Sequence, residues 1–182
     1  MSNGLKVKKR NGRGTEPLNL DKMHKMVEEA TKGLAGVSAS QVEIQSGIQF
    51  YDGITTGEIQ EILIKSASDL IDLDHPNYQF VAARLLLFGI RKSLYGRSRD
   101  LPHLETHIMN CTGIEVYDKD IFTRYSKEEI DKVNGWIDHD RDFLFTYAGL
   151  RQVVDKYLVQ DRSTGKVYET PQFMYMMIAL TI

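Results

Sequence analysis

Helix-start signals recur along this chain and constrain its fold more than any other feature of the sequence. Ser or Thr is followed three residues later by Gln or Glu at Ser38–Gln41, Thr55–Glu58 and Ser126–Glu129. This spacing lets two side chains satisfy the exposed amides at the start of a helix. Behind Thr55, apolar and small residues recur at helical spacing from Ile59 to Leu70. The pattern predicts a mainly α chain of amphipathic helices joined by short loops.

Residues 1–95 are predicted to form four helices behind a small β-hairpin. The hairpin is predicted from LKVKKR, the turn signal NGRG and TEPLNL, with Pro17 restricting the second strand to a sheet edge. Asn19 or Asp21 is a suitable cap for the first helix, and the fourth helix ends near SLYG. Four such helices can close into a bundle, with the hairpin capping one end.

The polar, turn-rich stretch GRSRDLP at 96–102 predicts a boundary between a domain at 1–95 and one at 96–182. Beyond it we expect helices near 103–110, after Ser126 and from about 140 to 157, and then a hairpin in YLVQDRSTGKVYET. The chain closes on an apolar run, FMYMMIAL, from Phe173 to Leu180. We expect a partner chain, or more of a longer protein, to cover this run.

Composition excludes several classes of protein. The 182 residues carry a formal net charge of −2, so no global positive field is present to hold a nucleic acid, and phosphate binding must be local. One cysteine excludes an internal disulfide framework and a multi-thiolate zinc site. No apolar run reaches membrane-spanning length, and the N-terminus is polar. We therefore expect a cytoplasmic protein (host cytoplasm if viral) that binds neither membrane nor nucleic acid.

The basic hairpin is the strongest candidate for a ligand site. A triphosphate needs cations from different elements together with backbone amides. Lys9 and Arg10 of the hairpin, with Lys22 and the amides of the first helix start, meet that need. Glu16 and Asn19 can bond a sugar or a base. The residues alone leave two alternatives open, a solvated charged hairpin and a nucleic-acid arm.

Other polar groups give weaker signals. WIDHDRDF holds Asp138, His139, Asp140 and Asp142, which suit a metal but also suit a helix start. His103 and His107 are spaced for chelation without an evident third ligand. Cys111 fits a packing residue better than a nucleophile. We predict no catalytic residue and no metal-ligating set from the protein.

Four segments together resemble the N-terminal ATP-cone of the large subunit of class I ribonucleotide reductase, most of all its bacterial and phage class Ia branch. They read VKKRNG with E.LNLDK, QFYDGITTGEIQEILIKSASDLI, PNYQFVAARLLLFGIRK and YG. Residues 137–173 resemble the opening of that subunit's ten-stranded catalytic barrel. The resemblance implies a mainly α (α+β) fold: a four-helix bundle under a hairpin or three-stranded β cap, then helices and a β-hairpin from the start of the α/β barrel domain.

The resemblance also implies an effector site for ATP or dATP, with Mg²⁺ accompanying the nucleotide. Its expected residues are Lys9, Arg10, Glu16, Pro17, Leu18, Asn19, Leu20, Asp21, Lys22, Thr56 and Lys92. The lysines and Arg10 would neutralise phosphates, Glu16 and Asn19 would bind base or ribose, and Thr56 would donate a hydrogen bond. Gln60 and Gly89 stand where members that respond strongly to dATP tend to carry His, and Glu29 where an aromatic residue can sit. The response to dATP therefore stays open.

The family's catalytic cysteines, its Glu and Asn, and its radical-transfer tyrosines would all lie beyond residue 182. We therefore expect this chain to be inactive alone and to act as the regulatory portion of a ribonucleoside-diphosphate reductase. Its expected partners are the remaining part of the large subunit, in the same or a separate chain, and a small radical-generating subunit, in an oligomer. Two alternatives are a structural remnant with a non-regulatory cone, including half of a split reductase, and an ATP-cone transcriptional regulator.

Overall fold

A computed structural model describes residues 5–9 and 14–182 of the chain. In chain order, its first two strands are followed by four helices. The first strands are β1 (Lys6–Lys8) and β2 (Thr15–Pro17), and β3 (Ile54–Thr55) lies between the second and third helices. The helices are α1 (Leu20–Thr31), α2 (Ala39–Gly47), α3 (Thr56–Asp69) and α4 (Tyr78–Tyr95). The predicted hairpin turn at NGRG falls largely on residues 10–13, outside the described residues.

The chain divides into two compact units. The first unit comprises 1–89 with 146–148, and the second comprises 90–145 with 149–182. Helix α4 therefore begins in the first unit, and its last turns belong to the second. No helix among the described residues has the length and apolar character needed to cross a membrane.

Polar side chains and caps set the helix ends of the first unit. Asn19 caps α1, and Thr55 with Glu58 forms the predicted reciprocal capping box at α3. Arg84 Nη1 donates to the carbonyls of Ala30 at 3.1 Å and Lys32 at 2.7 Å, so a cation from α4 satisfies acceptors at the end of α1. The predicted helix starts in this unit are confirmed, but the box at Ser38 is only half formed. Ser38 Oγ accepts from the Gln41 amide, whereas the Ser38 amide donates to Tyr78 Oη rather than to Gln41.

Helix α2 departs from the prediction in length and in its apolar face. Ile44, Ile48 and Tyr51 recur at helical spacing, which predicts a helix that continues to residue 51. The helix instead ends at Gly47, so Tyr51 lies outside it. Ile44 and Ile48 are 68% and 82% exposed rather than part of the core. Helical spacing reports which residues share a face, but it does not report whether that face meets the interior.

The second unit is also helical. It contains α5 (Leu104–Gly113), α6 (Ile121–Arg124), α7 (Lys127–Asn134), a 3₁₀ helix (His139–Leu144), most of α8 (Tyr147–Lys156), β4 (Gln160–Asp161), β5 (Lys166–Val167) and α9 (Pro171–Thr181). The predicted helix from about 140 to 157 is wrong in one respect, because a 3₁₀ segment and a break at 145–146 replace its first turns. The capping box of Ser126 and Glu129 is present.

The apolar run near residue 182 forms α9. Phe173, Met174, Met177 and Leu180 are buried against the same unit, in part by Leu104, Ile108 and Ile130. The expectation that the chain has too little to cover this run was therefore wrong for one face of α9. Tyr175 and Ile178, on other faces, are 48% and 46% exposed.

Candidate functional site

A small sheet positions the basic strand of the first unit. Strand β1 pairs antiparallel with β2 and parallel with β3, with Val7 opposite both Glu16 and Ile54. Val7 and Ile54 are buried, whereas Lys6 and Lys8 are exposed, as alternation along a strand requires. The sheet therefore holds its lysines toward solvent.

Lys9, directly after β1, forms an ion pair with Glu16 on β2. Its Nζ lies 2.8 Å from Glu16 Oε2, and both side chains are about two-fifths exposed. The hydrogen bond from Lys9 lowers the pKa of Glu16, and the charges of Lys9 and Lys22 act in the same direction. An exposed pair of this kind contributes little stability, so the ammonium of Lys9 can exchange one anionic partner for another at small cost.

The N-terminus of α1 follows β2 directly. Asn19 Oδ1 accepts a hydrogen bond from the Lys22 amide at 2.9 Å, and the Leu18 amide donates to the Leu5 carbonyl at 2.7 Å. Asp21 and Lys22 are exposed in the first turn. A capped helix N-terminus beside lysine side chains favours anions.

Thr56 is the first residue of α3 and is half-buried beside the sheet. The preceding capping box is held by Glu58, which accepts hydrogen bonds from Tyr51 Oη at 2.6 Å and from the Thr55 amide at 2.8 Å. These bonds, first of all that from Tyr51, lower the pKa of Glu58 to about 2. The start of α3 is thus fixed by side chains of its own neighbourhood.

A groove of about 790 Å³ opens between the β2–α1 junction and α2. Three residues expected at the effector site, Leu18, Leu20 and Asp21, line it. Its other apolar walls are Leu5, Met23, Ile44 and Phe50. This size lies within the range of small-molecule sites. Sequence reasoning missed the part contributed by α2, because the helical spacing of its apolar residues does not show whether they face the core or a groove.

His24 and Glu43 form the polar rim of this groove. His24 Nδ1 lies 2.7 Å from Glu43 Oε1 on α2, and its Nε2 lies 3.2 Å from Glu28 Oε1. The bond to Glu43 raises the pKa of His24, with the charges of both carboxylates adding to it. The contact joins α1 to α2 at one edge of the groove.

Two expected site residues are not among those described in the first unit. Arg10 lies outside the described residues. Lys92 is exposed in the last turn of α4, within the second unit. The remaining expected residues, including Pro17 at the end of β2, belong to the first unit.

Gln60 and Gly89 form one packed contact between α3 and α4. Gln60 is buried, and its Nε2 donates to the Leu85 carbonyl at 2.8 Å. A Cβ placed on Gly89 would lie 3.1 Å from Gln60 Cγ. The two positions are therefore interdependent, and a larger residue at 89 requires the Gln60 side chain to move.

The second unit contains a buried polar chain around His107. His107 Nδ1 lies 3.3 Å from Tyr95 Oη and its Nε2 lies 3.1 Å from Tyr117 Oη, which donates in turn to Glu169. Burial lowers the pKa of His107 to about 4 and raises that of the neighbouring Cys111 thiol to about 11. A neutral histidine and a protonated thiol in this setting act as structural groups rather than as a nucleophile and its base.

The histidines and carboxylates weighed as metal ligands do not come together as either spacing suggested. His107 is buried in the polar chain, and Asp142 is buried against Arg91. Among the described residues, His103, Glu105 and Asp131 do approach one another. However, His103 Nδ1 accepts a hydrogen bond from the Glu105 amide at 3.3 Å. In a neutral ring, Nδ1 then accepts this hydrogen bond and Nε2 carries the proton. Neither ring nitrogen therefore presents a free lone pair to a metal.

Comparison with known proteins places these features in two families. The ATP cone domain matches residues 5–93, and the all-alpha domain of ribonucleotide reductase matches residues 143–182. The chain is 46% identical over 182 residues to the ribonucleoside-diphosphate reductase subunit alpha of Haemophilus influenzae, covering 100% of this chain and 24% of that protein. It is 47% identical over 179 residues to the reductase 1 subunit alpha of Escherichia coli, covering 98% and 23%.

A phage relative is similar over most of the chain as well. The subunit alpha of Enterobacteria phage T4 is 40% identical over 160 residues, which are 87% of this chain and 21% of that protein. The chain thus spans about a quarter of the length of these curated relatives. One expectation is corrected: residues 143–182 match an all-alpha domain rather than the opening of a barrel, and β4 and β5 in this region have two residues each.

Proposed function

Because the chain belongs to the family of ribonucleoside-diphosphate reductase alpha subunits, with an ATP cone followed by the start of the all-alpha domain, we propose that it binds ATP as an allosteric effector. Within the whole subunit, that binding would regulate the reduction of ribonucleoside diphosphates. The site comprises the end of β1, strand β2, the first turn of α1 and the start of α3.

One observation carries this proposal: Lys9 directly after β1 pairs with Glu16 on β2, and the Asn19-capped start of α1 follows β2 in the same unit. An arriving triphosphate would replace the Glu16 carboxylate as the partner of Lys9, and Lys22 would supply a second positive charge. The amides of the first turn of α1 favour the same negative charge. Glu16, once released, is available to a ribose hydroxyl or an adenine amino group.

The groove supplies the apolar component of a nucleoside site. Leu18 and Leu20 belong both to its wall and to the expected effector segment. An adenine ring offers flat apolar faces, and its edge needs a few directed polar groups, which is the usual composition of a cofactor site. We assign the base to the neighbourhood of Leu18 in the first unit.

The resemblance adds Arg10, Thr56 and Lys92 as phosphate contacts and Mg²⁺ as the companion of the nucleotide, which compensates phosphate charge. It also supplies the rest of the proposal: cytoplasmic location, a small radical-generating subunit as partner, and assembly with the remaining part of the large subunit in an oligomer. The catalytic groups belong to that remaining part.

Calorimetric titration of the 182-residue chain with Mg-ATP tests the proposal. We expect a dissociation constant between the micromolar and sub-millimolar ranges. Lys9→Ala should weaken binding by about 1–3 kcal/mol, the value of a hydrogen bond to a charged group. Lys25→Ala, which removes an exposed lysine from the second turn of the same helix, is the matched control and should leave the affinity unchanged.

Absence of ATP binding by a chain whose circular dichroism shows it folded would reject the proposal and favour a structural cone. Equal affinity of Lys9→Ala and the intact chain would remove Lys9 from the site without rejecting ATP binding. Titration with Mg-dATP in parallel measures the discrimination between the two nucleotides, which the Gln60–Gly89 pair leaves open.

A further inference from the structure

A cavity of about 290 Å³ lies within the second unit. Ile121 of α6 and Met174, Met177 and Leu180 of α9 form its apolar wall, and all four residues are buried. This volume is at the lower end of the range of small-molecule sites. The cavity therefore suits a ligand with a short apolar body.

Glu169 provides a carboxylate at the wall of this cavity, and the residue is 1% exposed. Its Oε2 accepts a hydrogen bond from Tyr117 Oη, and its Oε1 accepts one from the Val159 amide at 2.7 Å. Tyr117 and Val159 line the same cavity. Each carboxylate oxygen has two lone pairs, so both oxygens can still accept a further donor.

The charge of this carboxylate has no counterion among the residues that the structure describes. Burial raises the pKa of Glu169 and its two hydrogen bonds lower it, without a contribution from any cation. Burial also lowers the pKa of His107, another member of the buried polar chain, to about 4, so that ring is neutral at pH 7. Two exposed carboxylates, Asp118 and Asp120, line the cavity as well, against a single cation, Arg124, among its lining residues. Because buried charges are normally paired, this arrangement indicates a site for a cationic ligand.

We propose that this cavity binds an organic ammonium ion, with its short apolar chain against α9 and its charged head at Glu169. A primary ammonium has three N–H donors and no acceptor, so it can bond the free lone pairs of both carboxylate oxygens. An anionic head would instead meet Glu169, Asp118 and Asp120 as like charges, which disfavours phosphates and organic acids. Two sources present the ammonium chemistry: a free alkylamine, and the side chain of a lysine from another segment or chain. This binding needs no nucleotide and is independent of the proposed ATP site.

An NMR titration of the isotope-labelled 182-residue chain with hexylammonium tests the site. The Val159 amide is the reporter, because it donates to Glu169. We expect its resonance to shift saturably and hexylammonium to bind about tenfold more tightly than hexanol, since a charged hydrogen bond adds to the same apolar contacts. Hexanoate should bind more weakly than hexanol. Each methylene removed from the amine should weaken binding by up to about fourfold.

Glu169→Gln keeps the shape of the side chain and an acceptor for the Val159 amide but removes the charge. It should lower the affinity for hexylammonium about tenfold, to that for hexanol, and leave the affinity for hexanol within about twofold. Glu128→Gln, at an exposed position on α7, is the matched control and should bind as the intact chain does. Should Glu169→Gln fail to fold, Asp120→Lys reverses an exposed charge at the same cavity. It should weaken hexylammonium about threefold and leave hexanol unchanged.

Nα-acetyl-lysine amide distinguishes the two sources, because it presents a lysine side chain without the rest of a protein. An affinity equal to that of butylammonium assigns the site to a lysine side chain, and binding of alkylammonium ions alone assigns it to a free amine. Three results would each overturn the proposal: equal affinities for hexylammonium and hexanol, no shift of the Val159 amide, or an ammonium preference that persists in the folded variants. None of these outcomes bears on the binding of Mg-ATP, which calorimetry measures separately.

Discussion

Burial decides the chemistry of individual side chains in the second unit, and Cys111 is the clearest case. Its Sγ lies 3.8 Å from the Tyr168 carbonyl, and the thiol is 4% exposed. Burial also distinguishes two neighbouring cations, because Arg91 is buried whereas Lys92 is exposed. The letters IRKS do not reveal which cation is buried, because that depends on Asp142, 51 residues after Arg91 in the chain.

Cys111 should be almost unreactive in the folded chain. Burial raises the pKa of its thiol to about 11, so at pH 8 only about one molecule in a thousand carries the reactive thiolate. Ellman's reagent should react slowly with the native chain. In guanidinium it should react promptly and release one equivalent of its coloured nitrothiobenzoate product per chain. Fast release from the native chain would show that the thiol is accessible.

His107 should make the second unit less stable as the pH falls from 6.5 toward 4. Its pKa in the folded chain is about 4, lowered by burial and then by the charge of His139, against about 6.5 when unfolded. Between these values the unfolded chain binds more protons, so stability is lost on acidification, by about 1.4 kcal/mol for each pKa unit. Urea denaturation followed by circular dichroism at pH 7 and pH 5 measures the loss.

His107→Gln keeps a donor and an acceptor but cannot titrate, so it should show a smaller loss than the intact chain. His75→Gln, at an exposed position, is the control and should behave as the intact chain does. The buried carboxyls Asp142 and Glu169 have raised pKa values and therefore oppose the effect in acid. An identical pH dependence in His107→Gln would refute the assignment to this histidine.

At the level of elements, the helix starts could be predicted from sequence because capping chemistry is local. Thr55 with Glu58 and Ser126 with Glu129 act within four residues, so no distant contact is needed to form the box. The α2 face and the 3₁₀ segment at 139–144 could not be predicted in the same way. Whether Ile44 meets core or groove, and whether Asp142 is buried, depends on tertiary packing.

Removing the cap of α7 should destabilise the second unit measurably. Glu129 N donates to Ser126 Oγ at 3.3 Å, and the Ser126 amide donates to Glu129 Oε2 at 2.8 Å. Ser126→Ala should lower the free energy of unfolding by about 1 kcal/mol, and Ser126→Asn should largely preserve it. Thr106→Ala, at an exposed position inside α5, is the control and should change it by less than about 0.7 kcal/mol. Equal unfolding midpoints for the alanine and asparagine variants in urea would contradict the role of the cap.

For the molecule as a whole, the order of elements was more informative than any single motif. The basic strand alone left several readings open, and the helices behind it, with Lys92 returning on α4, led to the cone family that the comparisons show at 5–93. The resemblance, rather than the residue pattern alone, predicts the candidate site, and the sequence does not show its groove because α2 contributes to it by packing. The barrel expectation came from the resemblance, and it is wrong because residues 143–182 match an all-alpha domain. The hairpin predicted near residue 160 is present, although its two strands have only two residues each.

The 182-residue chain should not reduce a ribonucleotide by itself. Conversion of a ribonucleotide to a deoxyribonucleotide takes two electrons, and a dithiol that becomes a disulfide is the group that supplies them from protein side chains. The chain has one cysteine, and that thiol is buried. Incubated with CDP, Mg-ATP, dithiothreitol and the small subunit of the Escherichia coli enzyme, the chain should yield no dCDP by chromatography. The complete Escherichia coli subunit alpha serves as the positive control, and Cys111→Ser gives the background. Product above that background would place reductive chemistry in these residues and overturn their assignment to a regulatory portion.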